Sequence, residues 1–155
     1  FEPMGMETMT YRLSDDVSKK GVTLYQGDTP QDYWHIVMRP SGSINASPVD
    51  MAKLASFFVN RGSVNGEQLI SEASLQRMEI AATTAAGKAG QEAGYGLSNY
   101  SSRHKNWVYR EHNGGVNGGL TEFSYLPEAH VGHAIMINSG AGAAYMEISD
   151  LVRDY

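Results

Sequence analysis

The chain has no cysteine. Disulfides, thiolate metal sites and a cysteine nucleophile are thereby excluded, although the compartment is not fixed, because many exported bacterial proteins also lack cysteine. Long apolar runs are missing as well, and none approaches the roughly 18 residues that a membrane-spanning helix requires. Positive charge is scarce. The formal net charge is −5, and the one basic cluster, Arg103-His104-Lys105, is too short to track a phosphate backbone. Nucleic acid is therefore excluded as a partner. The opening Phe1-Glu2-Pro3-Met4-Gly5-Met6 has no initiator methionine, no basic n-region and no apolar h-region, so it is no signal peptide. The chain is expected to start inside a longer protein.

What remains suffices for one domain, since 155 residues with 41% hydrophobic content can bury a core. Residues 1–46 read as irregular. Pro3, Gly5, Gly21, Gly27-Asp28, Pro30, Pro40 and Gly42 break every periodic run there, and only Val22–Tyr25 suits a short strand. A helix then opens at Ser47, a natural N-cap, with Pro48 at the first helical position and Asp50 at the positive end of the dipole. Met51, Leu54, Ala55 and Phe58 form one stripe at i, i+3, i+4 and i+7, and Gly62 supplies the stop. A shorter helix opens at Ser71, with Leu75 and Met78 on one face and Leu69-Ile70 as a staple.

Residues 81–94 are small and weakly patterned, which predicts an exposed loop. Strand signals follow. Tyr95–Tyr100 and Trp107–Glu111 are predicted to pair across the polar turn Ser101–Asn106. Leu120–Leu126 alternates, Pro127–His130 is a turn, and Val131–Asn138 is a strongly apolar strand. Short connections between successive strands imply antiparallel pairing. Tyr145, Ile148, Leu151 and Val152 begin an amphipathic helix that the chain end is expected to cut. Trp34, Trp107 and the nine tyrosines read as core and rim residues, lacking the spacing and charge of a base-stacking platform.

The densest chemical signal is Glu111-His112-Asn113-Gly114-Gly115-Val116-Asn117-Gly118-Gly119-Leu120. Glycine at this density marks sharp turns or close approach to another group. A histidine among them can hold a proton or donate a hydrogen bond beside a bound group. The plain alternative is a glycine-rich hairpin turn carrying a surface histidine.

Four segments in order widen the reading. They are Phe1-Glu2-Pro3-Met4-Gly5-Met6, then Arg39-Pro40-Ser41-Gly42-Ser43-Ile44-Asn45-Ala46-Ser47-Pro48-Val49-Asp50-Met51, then Gly94-Tyr95-Gly96-Leu97, and His112-Asn113-Gly114-Gly115-Val116-Asn117-Gly118-Gly119. Together they resemble the C-terminal part of serine β-lactamase-like hydrolases, the group of class C β-lactamases, DD-peptidases, D-amino-acid amidases and related esterases. The resemblance covers nearly the whole chain. It implies an α+β fold, an antiparallel sheet flanked by helices, with residues 1–155 as the C-terminal part of a single domain. It also implies acyl transfer to a serine, a small-molecule or peptide acyl substrate, no cofactor, and a periplasmic or extracellular location.

That family's site combines an S-x-x-K helix start, a Y-x-N or Y-x-S loop, and a K-x-G or H-x-G strand. Only the third is matched, by His112-Asn113-Gly114. The resemblance implies that Gly115 offers its backbone N–H as half of an oxyanion hole and that Asn113 and Gly114 line the substrate. One such donor is worth roughly 3 to 4 kcal/mol in a transition state. His112 would orient the substrate or share protons with the base of the nucleophile. Ser102-Arg103-His104-Lys105 satisfies S-x-x-K literally, but it lies in a polar turn with no apolar periodicity after it. Ser43-Ile44-Asn45 is a polar S-x-N that directly precedes the Ser47 helix. The nucleophile and its base are thus expected upstream of Phe1, in a missing N-terminal half. A histidine is not permanently charged at neutral pH, so position 112 favours esterase or peptidase chemistry over efficient β-lactam cleavage.

Two other constellations weigh little. His130-Val131-Gly132-His133 has metal-like spacing, but on a strand its side chains diverge and no acid completes the set. Gly140-Ala141-Gly142-Ala143-Ala144-Tyr145 lacks the βαβ context of a dinucleotide turn. The competing readings of the whole chain are a non-catalytic penicillin-binding-like module and an unrelated small antiparallel domain.

Overall fold

The computed structural model describes residues 1–12, 14–33 and 41–155. Trp34, expected in the core or rim, and Arg39 and Pro40 of the second family-like segment lie outside the described residues. A 3-10 turn over Glu2–Met4 is followed by helix α1 (Asp15–Lys20), in a stretch expected to be irregular. No apolar stripe signals α1. Its start is set by Ser14, whose hydroxyl accepts the Val17 N–H at 3.2 Å, and Lys19 and Lys20 suit its carboxyl end. The short strand is β1 (Leu24–Gln26), and it has a partner in β2 (Thr29–Gln31) across Gly27-Asp28.

Helix α2 (Pro48–Val59) starts and stops where its caps predict. Ser47 Oγ accepts the Asp50 N–H at 3.2 Å, and the Gly62 N–H returns to the Phe57 carbonyl at 2.9 Å. The small hairpin of β3 (Ser63–Val64) and β4 (Glu67–Gln68) leads to α3 (Glu72–Glu79), capped by Ser71 as expected. The segment read as a loop holds one further turn of helix, α4 (Ala85–Lys88), because Thr84 caps it by accepting the Gly87 N–H at 3.0 Å.

The remaining chain forms a five-stranded sheet in the order β5 (Gly94–Tyr95), β6 (Tyr100–His104), β7 (Trp107–Val116), β8 (Gly119–Leu126) and β9 (Val131–Ile137). Helix α5 (Gly142–Asp154) ends the chain. The fold is α+β, with antiparallel β5–β6 and β6–β7 pairs. One expectation is corrected here. Tyr95–Tyr100 is not a single strand, because the Gly96 N–H bonds the Asn99 carbonyl at 2.7 Å and the Leu97 N–H bonds the Met78 carbonyl at 2.9 Å. These bonds turn the chain between β5 and β6, so Tyr100–His104, rather than Tyr95–Tyr100, pairs with β7.

The described residues divide into two compact units, one of Phe1–Met51, Asn113–Glu122 and Ile135–Tyr155, the other of Ala52–His112 and Phe123–Ala134. In the second, Phe58 on α2 stacks against Tyr125 at 5.0 Å and Phe123 at 5.5 Å, both on β8. Leu75 and Tyr125 are fully buried. Gly132 lets β9 approach α2, since an added Cβ would lie 3.2 Å from Val59 and 3.3 Å from Ala55. Burial of each such large side chain stabilises by roughly 1.5 to 3 kcal/mol, and Phe58→Ala would cost about 3 to 5 kcal/mol through lost transfer energy and a cavity.

Polar anchors recur in the first unit. Buried Asp50 accepts the Thr8 N–H at 2.7 Å and the Thr8 hydroxyl at 2.6 Å, which ties the N-terminal segment to α2. Tyr25 joins the small hairpin to the chain around it, donating its N–H toward Asn138 O (3.2 Å) and Gly118 O (3.3 Å) and accepting from the Gly140 N–H (3.1 Å). Helix α5 docks by its polar face. Its apolar residues Ile148, Leu151 and Val152 are exposed, while Tyr145, Ser149 and Arg153 donate to the buried Glu122 carboxylate at 2.5, 2.9 and 3.2 Å. A carboxylate on a buried strand position must be paired or it would cost several kcal/mol, roughly. Here three donors do so.

Candidate active site

Strand β7 carries all of His112, Asn113, Gly114 and Gly115. Its register with β6 ends where Tyr100 faces Glu111, yet β7 runs on to Val116. The glycine-rich stretch is therefore mostly strand, and the turn is confined to Asn117-Gly118. Gly118 has φ +77, and a Cβ there would sit 2.6 Å from the Tyr25 nitrogen, so glycine is required. Along the overrunning end, Asn113, Gly114, Gly115 and Val116 are all exposed and His112 is half-buried.

Gly114 and Gly115 are glycines for space rather than for dihedral angle. A Cβ at Gly114 would lie 3.3 Å from Thr121 Oγ1, and one at Gly115 would lie 3.2 Å from Leu120 Cδ2. Both neighbours are ends of side chains on β8, so alanine can be absorbed while a branched residue crowds the strand. Without side chains, this backbone can be approached closely by another molecule.

His112 sits in an aromatic corner. Its Nε2 lies 2.9 Å from the Tyr95 hydroxyl. The Tyr95 ring meets His112 edge-on at 6.0 Å, the Tyr100 ring lies 5.8 Å from His112, and the two tyrosines stack at 6.1 Å. Tyr95 is held from both sides. It pairs with Tyr100 in the sheet, and its carbonyl accepts the Thr83 N–H at 3.3 Å and also the Thr83 hydroxyl. An imidazole with one nitrogen bonded to a hydroxyl and walled by rings can hold or pass a proton in a defined orientation. The motif reading missed Tyr95 as the partner of His112. Gly94-Tyr95-Gly96-Leu97 was one of the family-like segments, but nothing in the sequence links it to a histidine 17 residues away.

The literal S-x-x-K lies elsewhere in character. Ser102 is on β6, its hydroxyl donates to the buried Glu111 carboxylate, and Lys105 occupies a left-handed turn position with φ 52. No helix begins there. Asn45 of the S-x-N segment exchanges two backbone hydrogen bonds with Thr10, each 2.9 Å, and its Oδ1 accepts from the Tyr33 hydroxyl at 3.2 Å. Among the histidines with metal-like spacing, His130 ends the 3-10 turn Pro127–Ala129 with φ 54, and His133 lies on β9 with its ring 6.4 Å from Tyr109. A concavity of about 810 Å³ is lined by residues between Phe1 and Thr10 and includes none of His112 to Gly115.

Buried and half-buried side chains near α3 form a separate network. Arg61 makes a two-pronged ion pair with Glu79 at 2.6 and 3.0 Å, the Tyr125 hydroxyl donates to Glu79 at 2.9 Å, and Asn99 donates to the Tyr125 oxygen at 2.9 Å. Burial, followed by the charge of Glu79, pushes the Tyr125 phenol well above the usual tyrosine range. The bond to Glu79 likewise raises the Arg61 guanidinium.

Comparison with known proteins bears on the family and the fold. A Beta-lactamase family model matches residues 1–154. No curated protein sequence gives a match. Among solved structures, the class C β-lactamase from Rhodobacter sphaeroides is similar with a TM-score of 0.74 at 12% identity, over 99% of this chain and 51% of that one. A β-lactamase from Sulfitobacter sp. EE-36 gives 0.71 at 16% identity, over 99% and 51%. The octameric penicillin-binding protein homologue from Pyrococcus abyssi gives 0.71 at 21% identity, over 90% and 32%. The chain thus spans between a third and a half of the length of these three structures.

Proposed function

The chain belongs to the β-lactamase family, and from that premise we propose that it is the C-terminal part of a serine hydrolase that cleaves an ester, amide or lactam. The observation that carries this reading is the overrun of β7 beyond its pairing with β6, which leaves the H-x-G segment and its glycines exposed. In the reaction, a serine Oγ supplied from outside these residues attacks the acyl carbon. The carbonyl oxygen becomes an oxyanion, the leaving group departs with a proton, and water later hydrolyses the acyl-serine. Gly115 N–H supplies one donor to the oxyanion, and the absence of a side chain at Gly114 and Gly115 keeps that donor approachable. His112 orients the acyl substrate or relays a proton to the base of the serine. Its histidine character favours esters and peptides over β-lactams, because an imidazole is a weaker fixed positive charge for a substrate carboxylate than lysine is.

The test is acylation of the full-length protein with a p-nitrophenyl ester, followed by mass spectrometry of the adduct. A serine adduct outside residues 1–155 is the expected result. An adduct on Ser102, or no acylation of the full-length protein by any ester, amide or lactam probe, would overturn the reading.

A further inference from the structure

We propose that Tyr95 is a positioning residue for His112: its hydroxyl donates to Nε2 and fixes the neutral ring in the Nδ1–H tautomer. The geometry is a 2.9 Å contact between the Tyr95 oxygen and Nε2. Direction follows from chemistry. A phenol is a far stronger acid than a neutral imidazole N–H, and an imidazole nitrogen lone pair is a better acceptor than a phenol oxygen. With Nε2 accepting, the ring proton must sit on Nδ1, which is the less favoured tautomer for a histidine side chain in water. The hydroxyl is held in place to do this. Tyr95 is fixed by its pairing with Tyr100, by the two bonds from Thr83 to its carbonyl, and by stacking on the Tyr100 ring. When His112 is protonated, the proton enters at Nε2 and the Tyr95 oxygen turns to accept it. Tyr95 is 39% exposed, so this exchange takes place at the surface from which a substrate would approach.

The effect on catalysis rests on the role proposed for His112, whereas the tautomer does not. Protein labelled with 15N-histidine is examined by NMR in mildly alkaline buffer, with His112→Gln identifying the signal. The expected spectrum shows Nδ1 protonated and Nε2 bare in the wild type. In Tyr95→Phe the ratio should move roughly fivefold to tenfold toward Nε2–H, about what one hydrogen bond controls, with the other four histidines unchanged. An Nε2–H wild type overturns the proposal, as does an unchanged tautomer in Tyr95→Phe with an otherwise native spectrum. If that variant fails to fold, the wild type alone decides, by whether a slowly exchanging Tyr95 hydroxyl proton couples to His112 Nε2. In the full-length enzyme, Tyr95→Phe should lower kcat several-fold with KM within about twofold. Should His112→Ala leave turnover intact, the role of His112 falls while the tautomer stands. Should His112→Ala abolish turnover while Tyr95→Phe leaves the tautomer alone, the positioning role falls instead.

Discussion

The Tyr125 hydroxyl donates to Glu79 Oε1 at 2.9 Å, joining the end of β8 to the last turn of α3. Glu79 is at the same time gripped by both terminal nitrogens of Arg61, so one carboxylate links α3, β8 and the turn after α2. Because burial and the Glu79 charge disfavour the phenolate, Tyr125 keeps its proton in the folded protein to a higher pH than in the unfolded chain. The sign follows from linkage. The contribution is complete below about pH 10, where the unfolded tyrosine is also neutral, and it is lost progressively as pH rises above that value. Tyr125→Phe should destabilise by about 2 kcal/mol at pH 8, the scale of a hydrogen bond to a charged group. Denaturant unfolding from pH 8 to 11 should show the gap between wild type and variant closing above about pH 10. A gap that stays constant would mean the phenol is not held neutral by this network.

Glu122 is expected to be the attachment point of α5. Glu122→Ala removes a carboxylate that Arg153 bonds and an acceptor of Tyr145 and Ser149. Breaking a buried pair from one side costs about 3 to 5 kcal/mol. Hydrogen exchange should show α5 losing protection first, with Glu122→Gln retaining part of it. Uniform loss across the whole chain, with α5 no worse than the rest, would contradict the assignment.

Those two networks also mark where sequence reading ran out. Helices α2 and α3 were legible because their signals are local: Ser47, Pro48, Asp50 and Ser71 act within one turn of themselves. Strands β8 and β9 were legible from their own patterns and the turn between them. Helix α1 was not, since Asp15–Lys20 has no stripe and depends on the Ser14 hydroxyl. The division between β5 and β6 depends on Leu97 reaching the Met78 carbonyl, a contact that no local pattern encodes. For α5 the amphipathic pattern was legible, but its polar partner on β8 was not. Glu122, which receives the polar face of the helix, lies 23 to 31 residues away in sequence, and no local pattern links the two. The H-x-G motif was found as a word, while its tyrosine partner appears only once the sheet is formed.

The outward stripe of α5 has a measurable consequence. Leu151 is 64% exposed beside exposed Ile148 and Val152, an apolar surface on which a hydrophobic dye can bind. The native chain should enhance dye fluorescence. Leu151→Lys should reduce that signal while changing stability by no more than about 0.5 kcal/mol, as for other surface substitutions. Unaltered dye binding in the variant would place the exposed apolar surface elsewhere.

Chromogenic esters and β-lactams offered to the 155-residue chain should not be turned over. On the proposed reading, Gly115 would offer only an oxyanion donor with no attacking group, and Ser102 is engaged with Glu111 on β6 rather than opening a helix. Ser102→Ala should therefore change nothing in the full-length protein beyond a modest stability loss of about 1 kcal/mol for a missing hydrogen bond. Turnover by the isolated chain that vanishes in Ser102→Ala would reverse the assignment of the nucleophile.

The H-x-G segment itself is tested by four substitutions in the full-length protein. Gly115→Ala places a Cβ 3.2 Å from a flexible Leu120 methyl, a contact the side chain can relieve, so folding should be little affected. Gly115→Val adds branches where the reacting oxygen must approach, and kcat should fall on the order of a hundredfold, the scale of one oxyanion donor. Because a branched residue also crowds the strand, the melt of Gly115→Val separates crowding of the reaction from damage to the strand. His112→Ala should lower kcat/KM by roughly a hundredfold if the imidazole orients substrate or relays a proton. His133→Ala, on β9 against Tyr109, should keep turnover within about twofold, since no catalytic role is assigned to it; its cost belongs to stability. Steady-state kinetics with one ester substrate, alongside thermal melts of each variant, distinguishes these outcomes. Wild-type turnover in His112→Ala together with loss in His133→Ala would mean that the glycine-rich end of β7 is a structural strand and nothing more.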